Sequence, residues 1–430
     1  MKPLSVLLAC VLLMSGATLV FAGAGQEGAA GPVELVYWTH EDPNRTPLEE
    51  KWIAEFELEN PNVTVMRETS PSGKLIEKVL TAFAARNAPD IFNIGAEQEW
   101  QYITGERVAP VDLEAIGYSS YRALQDDYLP VTFNGALYQD KIYGLPLEIT
   151  NWCIYINEKK YREVGLNPAT DYPRTWEQML TVAEKLTIRE GEVITRRGFD
   201  FRYPYYLVAW VPMANQLGGT VLTADGKSGA VDSAAWVKLL QYMADFGPNG
   251  RNLGSPTYTN ARRTFNRDDN SVAMCVSGLY QYDRIKAENE AFLPNVSVVP
   301  FPRFEDAVND NGAAVYGHYY MVNASSSPAV QKAAWKLNMY MSGHEEEFLD
   351  EVGLIIPSKK LLDTAVYKNK KFADVFIEDM AKSNFVMVHE SGPKFKEVIK
   401  EMVESVMLSN VAPAAAARRG NEKINDILRQ

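Results

Sequence analysis

The chain has 430 residues, 46% of them hydrophobic and 23% charged, with a formal net charge of -12. That length suggests two domains, and the composition supplies enough apolar side chains for a packed core and excludes a disordered chain. An acidic chain whose longest basic run is Arg-Arg suits neither nucleic acid nor an anionic membrane surface.

The N-terminal segment reads as an export signal. Lys2 gives a positive start, Leu4 to Val20 is mostly apolar, and Val20-Phe21-Ala22 offers the small residue needed for cleavage. Residues 1–22 are expected to be a signal peptide, and the Gly/Ala-rich residues 23–32 a spacer. The expected location is periplasmic. Leu7-Leu8-Ala9-Cys10 resembles a lipobox but stands inside the apolar run, so the free exported form is preferred to a tethered lipoprotein.

Val33 to Trp38 predicts the first strand. Thr46 opens a helix, with Pro47 in its first turn and Glu49 completing a Thr-x-x-Glu capping box. Leu48, Trp52, Ile53 and Phe56 share one face of it. A strand is predicted over Val63–Met66 and a helix over Lys74–Ala85, with Leu75, Ile76, Val79, Leu80 and Phe83 inward. Ile91–Ile94 follows as a third strand, which makes a parallel α/β unit. Gly144-Leu145-Pro146 closes this unit, and the pattern recurs. Strands are predicted at Trp152–Ile156, Val272–Val276, Val296–Val299 and Tyr319–Val322. Helices start at Thr175 (a Thr-x-x-Gln box), Asp232 and Ser327-Pro328, and Pro393 to Leu428 is mostly helical. Cys153 and Cys275 stand in strand-like text, either as a disulfide or as two buried thiols.

The chain contains no His-Glu-x-x-His, no Gly-x-Ser-x-Gly and no P-loop. Its four histidines, His40, His318, His344 and His389, lack metal-ligand spacing. No catalytic residue, metal or cofactor is expected, although the many carboxylates leave a glycosidase pair open. In an open α/β sheet the pocket lies beyond the carboxyl ends of the strands. That rule selects His40, Asp42, Asn44 and Arg45 after the first strand, and Glu97 and Gln98 after the third. A merely solvated charged loop is the alternative for both.

Several phrases together carry a resemblance. Val33-Glu34-Leu35-Val36-Tyr37-Trp38, Phe56-Glu57 with Asn60-Pro61-Asn62-Val63, and Ala84 to Phe92 come first. Tyr143-Gly144-Leu145-Pro146, Ile154 to Lys159, Pro173-Arg174-Thr175-Trp176-Glu177 and Ser271 to Met274 with Gly278 follow in order. The set resembles the bacterial extracellular solute-binding proteins of ABC-type importers, the family that includes maltose-binding protein. It covers nearly all of the chain after the spacer. Ile156, where the family prefers Tyr, and Cys153 depart from the pattern.

The resemblance implies an α/β, periplasmic-binding-protein-like fold: two α/β lobes joined by a hinge that the chain crosses several times. Lobe one would be 33–147 with 308–356, and lobe two 148–307 with 357–430. It implies capture of a small neutral ligand, a mono- or oligosaccharide, in the cleft, with delivery to transmembrane permease subunits by a monomer. A glycerol phosphate or polyamine is the alternative ligand, and a secreted hydrolase the alternative class. Aromatic faces cover a sugar ring and fixed polar groups bond its hydroxyls. The resemblance therefore adds Glu148, Thr150, Asn151 and Trp152 at one crossing, and Tyr316, Gly317 and His318 near another. Asp200 and Tyr203 join them from the aromatic segment Phe199 to Tyr206, as does Tyr280, two residues after Gly278. Trp152, Tyr280 and half of the aromatic segment read equally as core.

Overall fold

The computed structural model describes residues 31–191, 193–203, 206–267, 271–385 and 389–430. The expected signal peptide, most of the spacer, and Pro204 and Tyr205 of the aromatic segment lie outside the described residues.

Val33–His40 is a strand because its alternate residues Val33, Leu35 and Tyr37 bury their side chains on one core. It pairs in parallel with Val63–Ser70 and Ile91–Phe92. The strand Tyr316–Val322 then runs antiparallel to Ile91–Phe92 and to Leu145–Thr150, completing a five-stranded sheet. Leu145–Thr150 spans the expected first crossing at 147/148 and lies wholly in this sheet. Gly144-Leu145-Pro146 therefore opens a strand rather than closing a unit. Its all-buried burial pattern hides the alternation by which a strand is recognised.

Two residues later the chain enters a second sheet, ordered Met274–Ser277, Cys153–Asn157, Val296–Val299. Both pairings are antiparallel, so the parallel pattern does not recur there. Apolar alternation reports burial and not strand direction, which is why the sequence reads alike in both lobes. Cys153 faces Ser277 and Cys275 faces Tyr155 across these strands. The thiols are thus diagonal neighbours, and both are free and buried.

Helix starts divide in two. Thr175 caps Trp176–Leu186 by accepting the Gln178 N–H at 3.1 Å, and Ser327 caps Pro328–Ser342. The Thr46–Glu49 box does not form. The helix begins at Arg45, and Asp42 Oδ1 accepts the N–H groups of Asn44 and Arg45 at 3.0 and 3.1 Å. Glu49 turns inward instead, toward Arg45 and Arg67. Ser233 rather than Asp232 precedes Ala234–Phe246, and Leu80, expected inward, is 46% exposed. Among the described residues, no helix is long and apolar enough to cross a membrane.

A buried pair ties the first crossing to the C-terminal part. Asn151 donates from Nδ2 to Asp379 Oδ2 at 3.2 Å. Burial pushes the Asp379 carboxyl up to about 7, against the pull of Asn151 and Lys382. The folded state therefore holds this proton more tightly than an unfolded chain, whose value is 3.8. Its contribution to stability is complete below pH 4 and lost as pH rises toward 7, with a slope of at most ~1.4 kcal/mol per pH unit. Asp379→Asn is expected to flatten that part of the profile, read from urea midpoints at pH 4.5 and 7. Parallel profiles for variant and wild type would count against it.

Candidate functional site

The carboxyl end of Val33–His40 faces the second sheet, and a cavity of about 240 Å³ lies there, between the lobes. Three strands of the first sheet build its floor. His40 ends the first strand. Glu148 and His318 stand directly opposite each other on antiparallel partners. Glu148 Oε1 accepts from His318 Nδ1 at 2.6 Å, and His318 stacks on His40 with ring centroids 4.3 Å apart. Tyr316 closes on His318 Nε2 at 3.1 Å.

Behind this floor sits Arg45, fully buried. Its Nη1 lies 3.2 Å from His40 Nε2 and 3.9 Å from Glu148 Oε2, and its Nε lies 3.4 Å from Glu49. His40 Nδ1 meets Asn93 Oδ1 at 2.8 Å, and that amide spends its own N–H groups on Tyr37 and Thr39. The His40 proton therefore sits on Nδ1 and Nε2 accepts from Arg45. Burial and the Arg45 charge hold His40 well below its ordinary pKa, as the neutral ring. Glu148 lines the cavity, and its Oε2 is buried and has no hydrogen-bond partner among the described residues.

His40, Glu148 and His318 bring three potential metal-ligand atoms within 4.8 Å of one another. The donor set does not suit a cation. Both His40 nitrogens are engaged, and a guanidinium already faces the carboxylate.

The second lobe supplies the opposite wall. Trp152 stands on the link between the sheets, and Tyr280 follows the strand that ends at Ser277. The Tyr280 ring folds over Gly278, where an added Cβ would meet it at 2.6 Å. Arg202 donates to the Tyr280 hydroxyl, and its guanidinium lies 5.1 Å from the centre of the Trp152 ring. Arg284, on the helix Gln281–Asn289, lies 4.5 Å from the Tyr280 ring and donates to Asp42 Oδ2 at 2.9 Å, across the lobes. Asp42 thus caps a helix with one oxygen and bridges the cleft with the other.

Seven residues expected at the site line this cavity: His40, Asp42, Glu148, Trp152, Tyr280, Tyr316 and His318. The others stand outside its wall. Asn44 faces a separate groove with Pro47 and Asp283. Arg45 lies behind His40. Glu97 folds back over Gly95, and Gln98 donates to it at 3.2 Å. Thr150 bonds the Asn151 carbonyl, and Asn151 bonds Asp379. Asp200 is fully buried, accepting from the Phe201 N–H and pairing with Arg197 at 3.2 Å. Tyr203 stacks on Trp210 in the core. Gly317 serves strand packing rather than ligand approach, since a Cβ there would meet Ile149 at 2.5 Å. Tyr280 itself is only 7% exposed, packing on the first lobe's core with one edge at the cavity. Arg263 and Arg284 line the cavity without having been expected, because an arginine on a short polar helix carries no positional signal.

The bacterial extracellular solute-binding protein family matches residues 51–373. The chain belongs to this family. A binding protein of Brucella abortus (strain 2308) is 21% identical to this solute-binding protein over 384 residues, 87% of this chain and 88% of its own. Among solved structures, an ABC transporter solute-binding protein from Thermotoga lettingae bound with α-D-tagatose superposes with a TM-score of 0.77. It is 20% identical, over 92% of this chain and 100% of that one. UgpB from Mycobacterium tuberculosis, in complex with glycerophosphocholine, gives 0.76 at 14% identity over 93% and 99%. These likenesses carry the two-lobed α/β architecture to this solute-binding protein, and the cavity lies between its two lobes.

Proposed function

We propose that this protein is the exported, solute-capturing component of an ABC-type importer. Its ligand is a saccharide held between the lobes and passed to permease subunits, without chemical change. The observation that carries this reading is the cavity itself. Trp152, Tyr280 and Tyr316 give it aromatic walls, and Glu148 lines it with a carboxylate whose Oε2 has no hydrogen-bond partner among the described residues. Rings suit the C–H faces of a sugar, and a fixed acceptor suits its hydroxyls. A volume of about 240 Å³ favours one or two sugar rings over a long chain. The tagatose-bound relative supports a sugar, and arginines on one wall disfavour a polyamine.

A ligand that binds the folded state alone stabilises it by RT ln(1 + [L]/Kd), about 2.7 kcal/mol at a hundredfold excess over Kd, and so raises the melting temperature. A thermal-shift panel of mono- and disaccharides is expected to give a clear rise for at least one sugar, recovered unchanged by chromatography. A flat panel, or a sugar returned as hydrolysed product, would remove the proposal.

A further inference from the structure

We propose that Asp42 and Arg284 form an ionic clasp between the lobes. The clasp sets how far the ligand-free protein stands open, and salt that weakens it widens the entrance to the cavity.

The two residues line opposite walls of the cavity, and Arg284 Nη2 donates to Asp42 Oδ2 at 2.9 Å. Both ends are held. Asp42 spends its other oxygen on the N–H groups of Asn44 and Arg45, and its carbonyl accepts from the Thr46 N–H at 2.9 Å. It cannot follow a retreating partner without uncapping the helix Arg45–Glu59. Arg284 belongs to the helix Gln281–Asn289 and lies against the Tyr280 ring. Parting the lobes therefore breaks the pair rather than stretching the chain on either side of it.

The start of that helix shows where the lobes pivot. It sits against Gly353, at the end of the helix Glu345–Val352. Gly353 has a φ of +71°, and a Cβ there would meet Tyr280 Cα at 3.1 Å and overlap the Asp283 carboxylate. Lys370, 8% exposed, donates to Asp283 Oδ1 at 2.9 Å and to the Asp350 carbonyl at 3.1 Å, which closes the joint. A contact this tight leaves no room for sliding, so the helix turns about it. Arg284 stands about 6 Å further along the helix axis than Tyr280, and its side chain reaches outward from there. Rotation carries it away from Asp42 while Gly353 and Tyr280 stay in contact. The joint is a hinge, and the ion pair is a clasp beyond it. Its strength follows from its burial. The Asp42 side chain is 7% exposed and that of Arg284 24%, which lifts the pair above a surface ion pair and still leaves it open to screening.

The test is double electron–electron resonance on the purified, ligand-free protein, with spin labels on Leu58→Cys and Thr181→Cys. These are exposed helical positions, one in each lobe. Cys153 and Cys275 stay unlabelled, because both are buried and burial pushes the Cys275 thiol up to about 12. Asp42→Asn is the matched variant: asparagine caps a helix as well as aspartate but brings no charge to Arg284. Arg284→Gln removes the other partner. Each is expected to lower the ratio of closed to open protein about fivefold or more, and the double variant no further than either alone. Raising NaCl from about 20 mM to about 1 M should move the wild type toward the variants and leave the variants where they are. Unchanged distances in both variants would overturn the clasp and make the pair a passive contact. Additive losses in the double variant would overturn it as well, since the two residues would then act separately. So would a wild type already at the long distance in low salt, an arm that depends on neither partner being replaced.

Discussion

Arg45→Met is expected to lower stability by about 3–5 kcal/mol, the usual cost of removing one member of a buried ion cluster. The arginine is fully buried, and burial works against its charge, but Glu49 and Glu148 outweigh that cost and hold it firmly protonated. It also donates to the Thr39 hydroxyl at 2.9 Å and to the His40 carbonyl. Methionine fills much of the space but answers none of these groups. Glu49 keeps Arg67 at 2.7 Å, whereas Glu148 Oε2 loses its only ion-pair partner among the described residues. The deficit falls on the first lobe, because every one of these partners belongs to the first sheet or the helix behind it. Arg45→Lys should recover little, since a single ammonium cannot serve Thr39, His40 and Glu49 together. Urea unfolding of the ligand-free protein measures both. A loss below about 1 kcal/mol for Arg45→Met would show that the cluster contributes nothing net, as some buried ion pairs do.

Glu148→Gln should act on binding instead. Its amide oxygen still accepts from His318 Nδ1, so the floor keeps its shape. At the cavity an NH₂ group replaces a charged acceptor, and a ligand hydroxyl that donated there loses its bond. Hydrogen bonds to charged groups contribute about 1.5–3 kcal/mol, so affinity for a bound saccharide should fall roughly 10- to 150-fold. The ligand-free protein should unfold within about 1 kcal/mol of wild type. Titration calorimetry with the sugar giving the largest thermal shift, paired with urea unfolding, separates the two readings of this residue. Retained affinity with a large stability loss would make Glu148 a counter-ion for Arg45 and nothing more.

The corrections to the site share one physical cause. Whether a side chain faces the cleft or the core depends on strand pairing and on which neighbours it meets, and neither is local. Tyr203 and Trp210 stack because a loop and a helix fold together, and Asp200 finds Arg197 and the Ser255 N–H only once the second lobe is packed. Arg202, Arg263 and Arg284 come from a loop and two helices distant in sequence, so no spacing rule joins them.

What the sequence determined by itself was the local and the repeated. Apolar alternation located Val33–His40, Val63–Ser70 and Val296–Val299, and the side-chain oxygens of Thr175 and Ser327 fixed two helix starts. Short phrases in order along the chain gave the family. The rule that pockets open at the carboxyl ends of strands reached His40 and Asp42 unaided. Tertiary structure alone decided strand direction in the second sheet, since burial fixes which residues alternate but not which way a partner runs. It alone turned Glu49 inward, because a buried arginine outcompetes a helix cap for a carboxylate. And it alone set His318 opposite Glu148, 170 residues apart, through a strand register that no stretch of sequence contains.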